Sequence, residues 1–179
     1  MPDSVDDASL ISRARGGESE AFKLLVERYF RAAYSSAYAV LGNSSDAEEM
    51  AQETFVQVYA KLELLREPGA LASWVWRIAR DCALKHLRKH KRMVRVAEVP
   101  EPGGRADGAD AAMLAGEENE ALRDALEKLP EEMRGALLMK FWEELDYDQM
   151  AARTGLSSAA LYQRVCRGLK QLREIMESK

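Results

Sequence analysis

Leu145-Asp-Tyr-Asp-Gln-Met-Ala-Ala-Arg-Thr-Gly-Leu-Ser-Ser-Ala-Ala-Leu-Tyr-Gln-Arg-Val-Cys-Arg-Gly-Leu-Lys-Gln-Leu-Arg173 decides how the end of this chain folds. Asp146 with Gln149 forms an N-terminal capping box, so a short helix begins there. Thr154-Gly155 turns the chain, and Ser157 or Ser158 caps a second helix with Leu161, Val165, Leu169, Leu172 and Met176 on its inner face. Arg164, Arg167, Lys170 and Arg173 recur every three residues and give that helix a basic stripe, with Tyr162 and Gln163 beside its start. Helix, glycine turn and helix is the pattern that lays its second helix in the major groove of DNA. Early residues of that helix reach base edges, and later cations meet phosphates. A solvated basic face on an amphipathic terminal helix is the plainer alternative.

Outward from this segment, composition sets the frame. The chain has 179 residues, 47% hydrophobic and 31% charged, enough for one ordinary domain or two small ones. The net charge of −4 is unevenly spread. Residues 1–95 carry 15 basic and 13 acidic side chains, residues 96–132 carry 3 and 11, and residues 133–179 carry 8 and 6. The acid is concentrated in the middle, so local charge is a better guide to partners than the whole-chain value. No apolar run is long enough for a membrane span, and the acidic start lacks the parts of a signal peptide. A cytosolic protein without membrane insertion is expected. Cys82 and Cys166 lie inside helical patterns without a CxxC or Cys/His companion, and are expected as small buried or half-buried residues.

Helical periodicity dominates, and the fold class expected is all-α. Helices are expected over 9–15, 20–41, about 45–62, 71–92, 117–129 and 131–141, ahead of the two already described. Ser45 with Glu48 reads as the capping box of the third, and Pro130 suits a first helical turn. Residues 98–110 hold Pro, Gly and Asp with almost no large apolar side chain, which is linker composition. The organisation expected is two small helical modules, 1–95 and 117–179, joined by a flexible acidic linker at 96–116, the C-terminal one a helix-turn-helix.

Two further segments carry function. In Ser73-Trp-Val-Trp-Arg-Ile-Ala-Arg-Asp-Cys-Ala-Leu-Lys-His-Leu-Arg-Lys-His-Lys-Arg92, aromatic residues precede a dense basic run. Aromatics can stack on unpaired bases while cations track the backbone, so this suits a melting duplex. Trp74 also reads as core. In Asp46-Ala-Glu-Glu-Met-Ala-Gln-Glu-Thr-Phe55, acidic residues and Gln52 line the outer side of a helix, either as a solvated face or as a docking site for a basic partner. His86 and His90 lie four apart, but no carboxylate or cysteine beside them completes a metal site. There is no nucleophile–base pattern and no phosphate-binding glycine loop. No enzyme activity, cofactor, metal or small-molecule substrate is therefore expected.

These segments, in this order, resemble an extracytoplasmic-function sigma factor of bacterial RNA polymerase. Asp46-to-Phe55 is similar to the family's core-binding helix, Ser73-to-Arg88 to the helix that engages the promoter −10 element, and Leu126-Glu-Lys-Leu-Pro-Glu-Glu with the helix-turn-helix to the domain that reads the −35 element. The resemblance implies that Asp46, Glu49, Gln52 and Glu53 dock the clamp helices of the largest polymerase subunit. It implies −10 contacts for Ser73, Trp74, Arg77, Arg80, Lys85, Arg88 and Lys89, with the loop at 67–73 selecting a base flipped from the non-template strand. It implies −35 contacts for Ser158, Tyr162, Gln163, Arg164, Arg167 and Lys170. Core polymerase, promoter DNA and an anti-sigma protein are the implied partners. The chain holds Ala159-Ala160-Leu161-Tyr162 where the family commonly has a Gly-Thr-Val-Lys type run, and Pro68-Gly69-Ala70-Leu71 where polar and aromatic residues are common. Two other readings stay open: a helix-turn-helix regulator that binds closed duplex alone, and a sigma-like decoy that sequesters a protein partner.

Overall fold

The computed structural model describes residues 6–94 and 117–178, with side chains outside 91–94 and 117–119. The linker expected at 96–116 lies outside the described residues. Among the described residues eight helices follow in order: α1 (Asp7–Arg15), α2 (Ser19–Leu41), α3 (Ser44–Lys61), α4 (Leu71–Val94), α5 (Glu117–Glu127), α6 (Glu131–Leu137), α7 (Tyr147–Thr154) and α8 (Ser158–Glu177). Short 3₁₀ turns at Leu62–Leu64 and Pro68–Ala70 join α3 to α4, and a π turn at Leu138–Trp142 extends α6. The described residues hold no strand.

The first module is built around α2, about 35 Å long at 1.5 Å per residue. Its second half is small-residue rich, with Ala32, Ala33, Ser35, Ser36, Ala37 and Ala39 all buried, so neighbours approach it from several sides. Leu25, Phe55, Val58, Leu71, Val75, Ile78 and Cys82 pack into one core with Leu10 and Ile11 of α1. Gly42, at φ 78°, ends α2 in the left-handed conformation. Asn43 then caps α3 by accepting from the Asp46 N–H at 2.8 Å. The cap is therefore Asn43, two positions ahead of the Ser45 box expected from sequence. Asn side chains serve this role as well as Ser, and the extended backbone at position 43 is what a cap requires.

The second module has its own core of Leu129, Ala136, Leu137, Met139, Met150, Leu161 and Val165. The Asp146–Gln149 box closes reciprocally at 2.7 and 2.9 Å, Gly155 turns the chain at φ 76°, and Ser157 caps α8. Pro130 is the cap of α6 rather than part of its first turn. The inner face of α8 also differs from expectation. Leu169 and Met176 are 43% and 44% exposed, whereas Gly168 is buried and Ile175 packs on the core. Steps from 161 to 165, 168, 172 and 175 follow the 3.6-residue period, and steps to 169 and 176 drift off it. Gly168 is required by close approach: a Cβ there would lie 3.2 Å from Leu137 side-chain atoms. Cys82 is buried as expected, but Cys166 is exposed because position 166 falls on the outer side of α8.

The two modules meet along a polar seam. Arg134 of α6 is 6% exposed and reaches the Ala39 carbonyl of α2 through Nε at 3.0 Å and Nη2 at 2.6 Å. Its Nη1 donates to the Glu127 carbonyl at the end of α5, at 2.9 Å. A cation on the last carbonyls of two helices is favoured by their dipoles. Burial nonetheless lowers the Arg134 pKa, because the charge has left water. Helices α2 and α6 cross closely enough that a Cβ on Gly135 would lie 3.3 Å from Ala39 Cβ. Ser35 donates to Glu143, which is ion-paired with Arg153, the two side chains being 5% and 11% exposed. Arg31 lies over the Trp142 ring at 5.2 Å, and Arg80 pairs with Glu131 at 2.8 Å. The Tyr38 hydroxyl and the Trp142 indole N–H are buried here without a protein hydrogen-bond partner among the described residues.

Candidate nucleic-acid interface

Helix α4 positions the aromatic and basic residues singled out around 73–89. It buries Leu71, Val75, Ile78, Ala79, Cys82 and Ala83 against α2 and α3, which fixes the directions of the others. Arg77 and Arg88 are exposed, and Ser73 and Trp74 are half-buried near the start. Ser73 Oγ donates to the Ala70 carbonyl at 2.9 Å. Trp74 packs against the core, as its alternative reading allowed. The basic run is not one surface. Lys85 and Lys89 line a groove between α4 and α3, opposite Glu49, Gln52 and Glu53. Arg80 turns toward the seam and its Glu131 partner. A continuous basic run on a helix is spread around the axis at 100° per residue, which separates residues that look adjacent in sequence.

Helix α3 carries the acidic set. Glu49, Gln52 and Glu53 are exposed. Asp46 differs: it caps its own helix turn with Asn43 and lies 3.5 Å from His86 Nε2. Val56 and Tyr59 continue the same outer strip at 64% and 57% exposure. Their signal in the sequence was two large apolar residues outside the buried stripe. Acid flanked by exposed apolar area is the composition of a docking face more than of a solvated one. His86 and His90 stack on each other with ring centres 4.4 Å apart, and among the described residues no group of three His, Cys, Asp or Glu could hold a metal ion.

Helix α8 presents the third set. Tyr162 is 56% exposed and meets Tyr147 edge to face at 5.7 Å. Gln163, Arg167 and Lys170 are exposed. Ser158 Oγ bonds to Asp148 at 2.9 Å, which fixes the angle between α7 and α8. Arg164 is half-buried, pairs with Glu132 at 3.1 Å and lines an inter-module cavity of about 330 Å³. Trp76, Arg77 and Arg80 of α4 line the same cavity. The structure thus brings the inner ends of both basic helices together, each neutralised by a glutamate of α6.

Fold and site define a two-module, all-helical protein with two basic helices suited to DNA and a separate acidic and apolar strip suited to a protein. Comparison with known proteins resolves this class. Residues 25–93 match the family model for Sigma-70 region 2, and residues 119–172 match Sigma-70 region 4. The ECF RNA polymerase sigma factor SigE of Mycolicibacterium smegmatis is 30% identical over 160 residues, covering 85% of this chain and 60% of that protein. The corresponding SigW of Bacillus subtilis is 26% identical over 174 residues, covering 92% and 93%. Among solved structures, CnrH in complex with the cytosolic domain of CnrY superposes with a TM-score of 0.68 over 97% of this chain and 98% of that one, at 23% identity. The sigma factor RpoE from Bartonella quintana, in complex with the anti-sigma factor NepR, gives 0.67 over 87% and 96% at 22%. The chain belongs to the sigma-70 family, as an extracytoplasmic-function sigma factor of bacterial RNA polymerase.

Proposed function

We propose that this chain binds core RNA polymerase through α3, engages the −10 element through α4 and its preceding loop, and reads the −35 element through α8, so directing initiation at its own promoters. The observation that carries this reading is the separation of three surfaces on one chain. Gln52, Glu53, Val56 and Tyr59 form an uncovered strip on α3, away from the basic residues of α4 and α8 that face the seam. A regulator acting on closed duplex alone needs no such strip. Gln52 and Glu53 dock the clamp helices of the largest subunit, Glu49 flanks them, and Asp46 acts by setting the start of α3. Ser73, Trp74, Arg77 and Arg88 form the −10 surface, with Arg80 joining once released from Glu131. Lys85 and Lys89 lie at its border with the polymerase face. Tyr162, Gln163 and Arg164 read −35 bases, Arg167 and Lys170 hold phosphates, and Ser158 sets the helix angle.

The functional units are 1–95 and 117–179, with 96–116 as tether. The chain has no chemistry of its own and acts in the cytoplasm, where its relatives work with polymerase. Among the described residues no helix is long and apolar enough to cross a membrane. An anti-sigma protein is a further partner, as NepR is for the Bartonella sigma factor. The test is in vitro transcription over a genomic library with purified chain and core enzyme. Defined promoter starts that need both components are expected. Tight binding of the chain alone to a palindromic duplex, with no promoter-directed product, would replace this reading with the stand-alone regulator.

A further inference from the structure

The loop between α3 and α4 has an unusual support. Leu62, Leu65 and Leu71 anchor it in the core at 3%, 7% and 1% exposure, while Leu64, Arg66, Glu67 and Gly69 face solvent. Between the first two anchors the chain leaves α3 through a 3₁₀ turn, in which the Leu62 carbonyl accepts from the Leu65 N–H at 3.2 Å. Arg15, the last residue of α1, adds a side-chain donor to this turn. Its Nη2 donates to the Leu62 carbonyl at 2.9 Å and also to the Leu65 carbonyl, and its Nε reaches Leu62 at 3.3 Å. Helix α1 packs against the next turn, Pro68–Ala70. That helix is itself pinned, at its start by Asp7 to Arg28 and Tyr29, and along its length by buried Leu10, Ile11 and Ala14.

We propose that Arg15 is a positioning residue for promoter reading: it sets where the loop at 67–73 meets the unpaired non-template base. This rests on the base-capture role given to that loop above. Pro68, Gly69 and Ala70 carry no side-chain hydrogen-bonding group. At that apex recognition is by main chain and shape, and such recognition depends directly on where the backbone sits. A rigid guanidinium fork suits the task, because its planar donors hold two acceptors at a fixed separation. A lysine has one nitrogen and a strongly hydrated charge, so it replaces the fork only in part. At Gly69 a Cβ would meet nothing within 4 Å among the described residues, so an alanine fits the fold but occupies space a base would use.

The experiment uses the holoenzyme, core polymerase with full chain, bearing wild type, Arg15→Ala, Arg15→Lys or Gly69→Ala. Open-complex formation is followed by 2-aminopurine fluorescence on promoters with each non-template −10 base in turn made abasic. Core affinity is measured alongside. A captured base is worth on the order of tenfold over its abasic counterpart. Wild type should show that ratio at one position, Arg15→Ala should bring it to about one, and Arg15→Lys should fall between. A merely structural role would lower all promoters, or core affinity, by one factor and leave the ratio intact. That result with either Arg15 variant overturns the proposal, and Arg15→Lys decides if Arg15→Ala does not fold. If Gly69→Ala lowers the ratio while both Arg15 variants keep it, the loop reads the base and Arg15 does not position it. If wild type shows no abasic effect and Gly69→Ala changes nothing, the base-capture role of the loop falls, and the proposal with it.

Discussion

Replacing Arg134 with alanine should open the seam. The guanidinium serves acceptors on both modules: the Ala39 carbonyl in α2, and the Glu127 carbonyl at the end of α5 with those of Leu126 and Leu129 beside it. A hydrogen bond from a charged donor contributes roughly 1.5–3 kcal/mol. The bond to Glu127 lies within the C-terminal module and is lost equally from open and closed forms. The two-donor contact with the single Ala39 carbonyl crosses the seam and exists only in the closed form. Its loss changes the closed-to-open ratio by roughly 10- to 150-fold. The upper figure is trimmed by relief of the buried charge, whose cost is visible in the lowered Arg134 pKa. Cys166 is exposed on α8 and takes a spin label, and Glu27→Cys places a second on the exposed side of α2. Electron-electron distance measurements should give one narrow distance for the parent. Arg134→Ala should give a broad, longer distribution, and Arg134→Lys a mixture. Refutation would be an unchanged narrow distance in Arg134→Ala together with a lower melting temperature. Arg134 would then be a cap for α5 with no share in holding the modules together.

Three further outcomes are expected. Tyr38 is buried at the seam with no partner for its hydroxyl among the described residues, and burial pushes its pKa up to about 12. Its neutral form is therefore favoured by folding, a contribution complete below pH 10 and lost as pH rises toward 12. Tyr38→Phe should remove that part of the alkaline stability loss and gain about 1 kcal/mol at neutral pH, read from paired denaturant titrations at both pH values. Burial raises the Tyr29 pKa as well, so the parent-minus-variant difference isolates Tyr38. Arg164→Ala should cost roughly 1–3 kcal/mol at one −35 base pair in competition binding by holoenzyme, whereas equal loss on all sequences would make it a phosphate contact. Replacing Gln52 and Glu53 together with alanine should abolish association with core polymerase while the thermal melt stays within about 0.5 kcal/mol, since both side chains are exposed.

The elements were legible because their causes are local. The Asp146–Gln149 box, the Gly42 and Gly155 stops and the 3.6-residue stripes of α3 and α4 all lie within a few residues of what they determine. The seam was not legible, because its causes are far apart in sequence. Arg134 and Ala39 are 95 positions apart, and nothing in the run around Arg134 separates it from a solvated helix residue. Ser35 reads as an ordinary small residue until it meets Glu143, 108 positions away. The same limit explains the basic run of α4. Charge density along the chain was visible, but its division among Arg77, Arg80 and Lys89 depends on which neighbour each direction meets. Arg15 was hidden differently. As a cation in the last turn of a helix it has a sufficient local explanation, and its carbonyl partners come 47 and 50 residues later.

Promoter geometry decides what the seam means. Elements named for positions −35 and −10 lie about 25 base pairs apart, roughly 85 Å along B-form DNA at 3.4 Å per step. Here Arg80 of α4 and Arg164 of α8 line one cavity of about 330 Å³. With the −10 and −35 roles proposed for α4 and α8, a single duplex cannot meet both helices in that arrangement, and promoter engagement requires the modules to part. The glutamates of α6 that neutralise those arginines, Glu131 and Glu132, must then release them. The strip on α3 is not part of the seam, so on the docking role proposed for it polymerase reaches it before separation. The composition of the seam fits this order. Apolar area resists opening in water, whereas the seam, beyond Leu138 packed on the first core, is largely an arginine on carbonyls, ion pairs and buried polar groups, which give up little when each is rehydrated. Closure occupies Arg80 and Arg164 while Arg77, Arg88, Arg167 and Lys170 stay exposed and the strip on α3 stays free, so on the roles proposed above the promoter gains those two arginines only when the modules part.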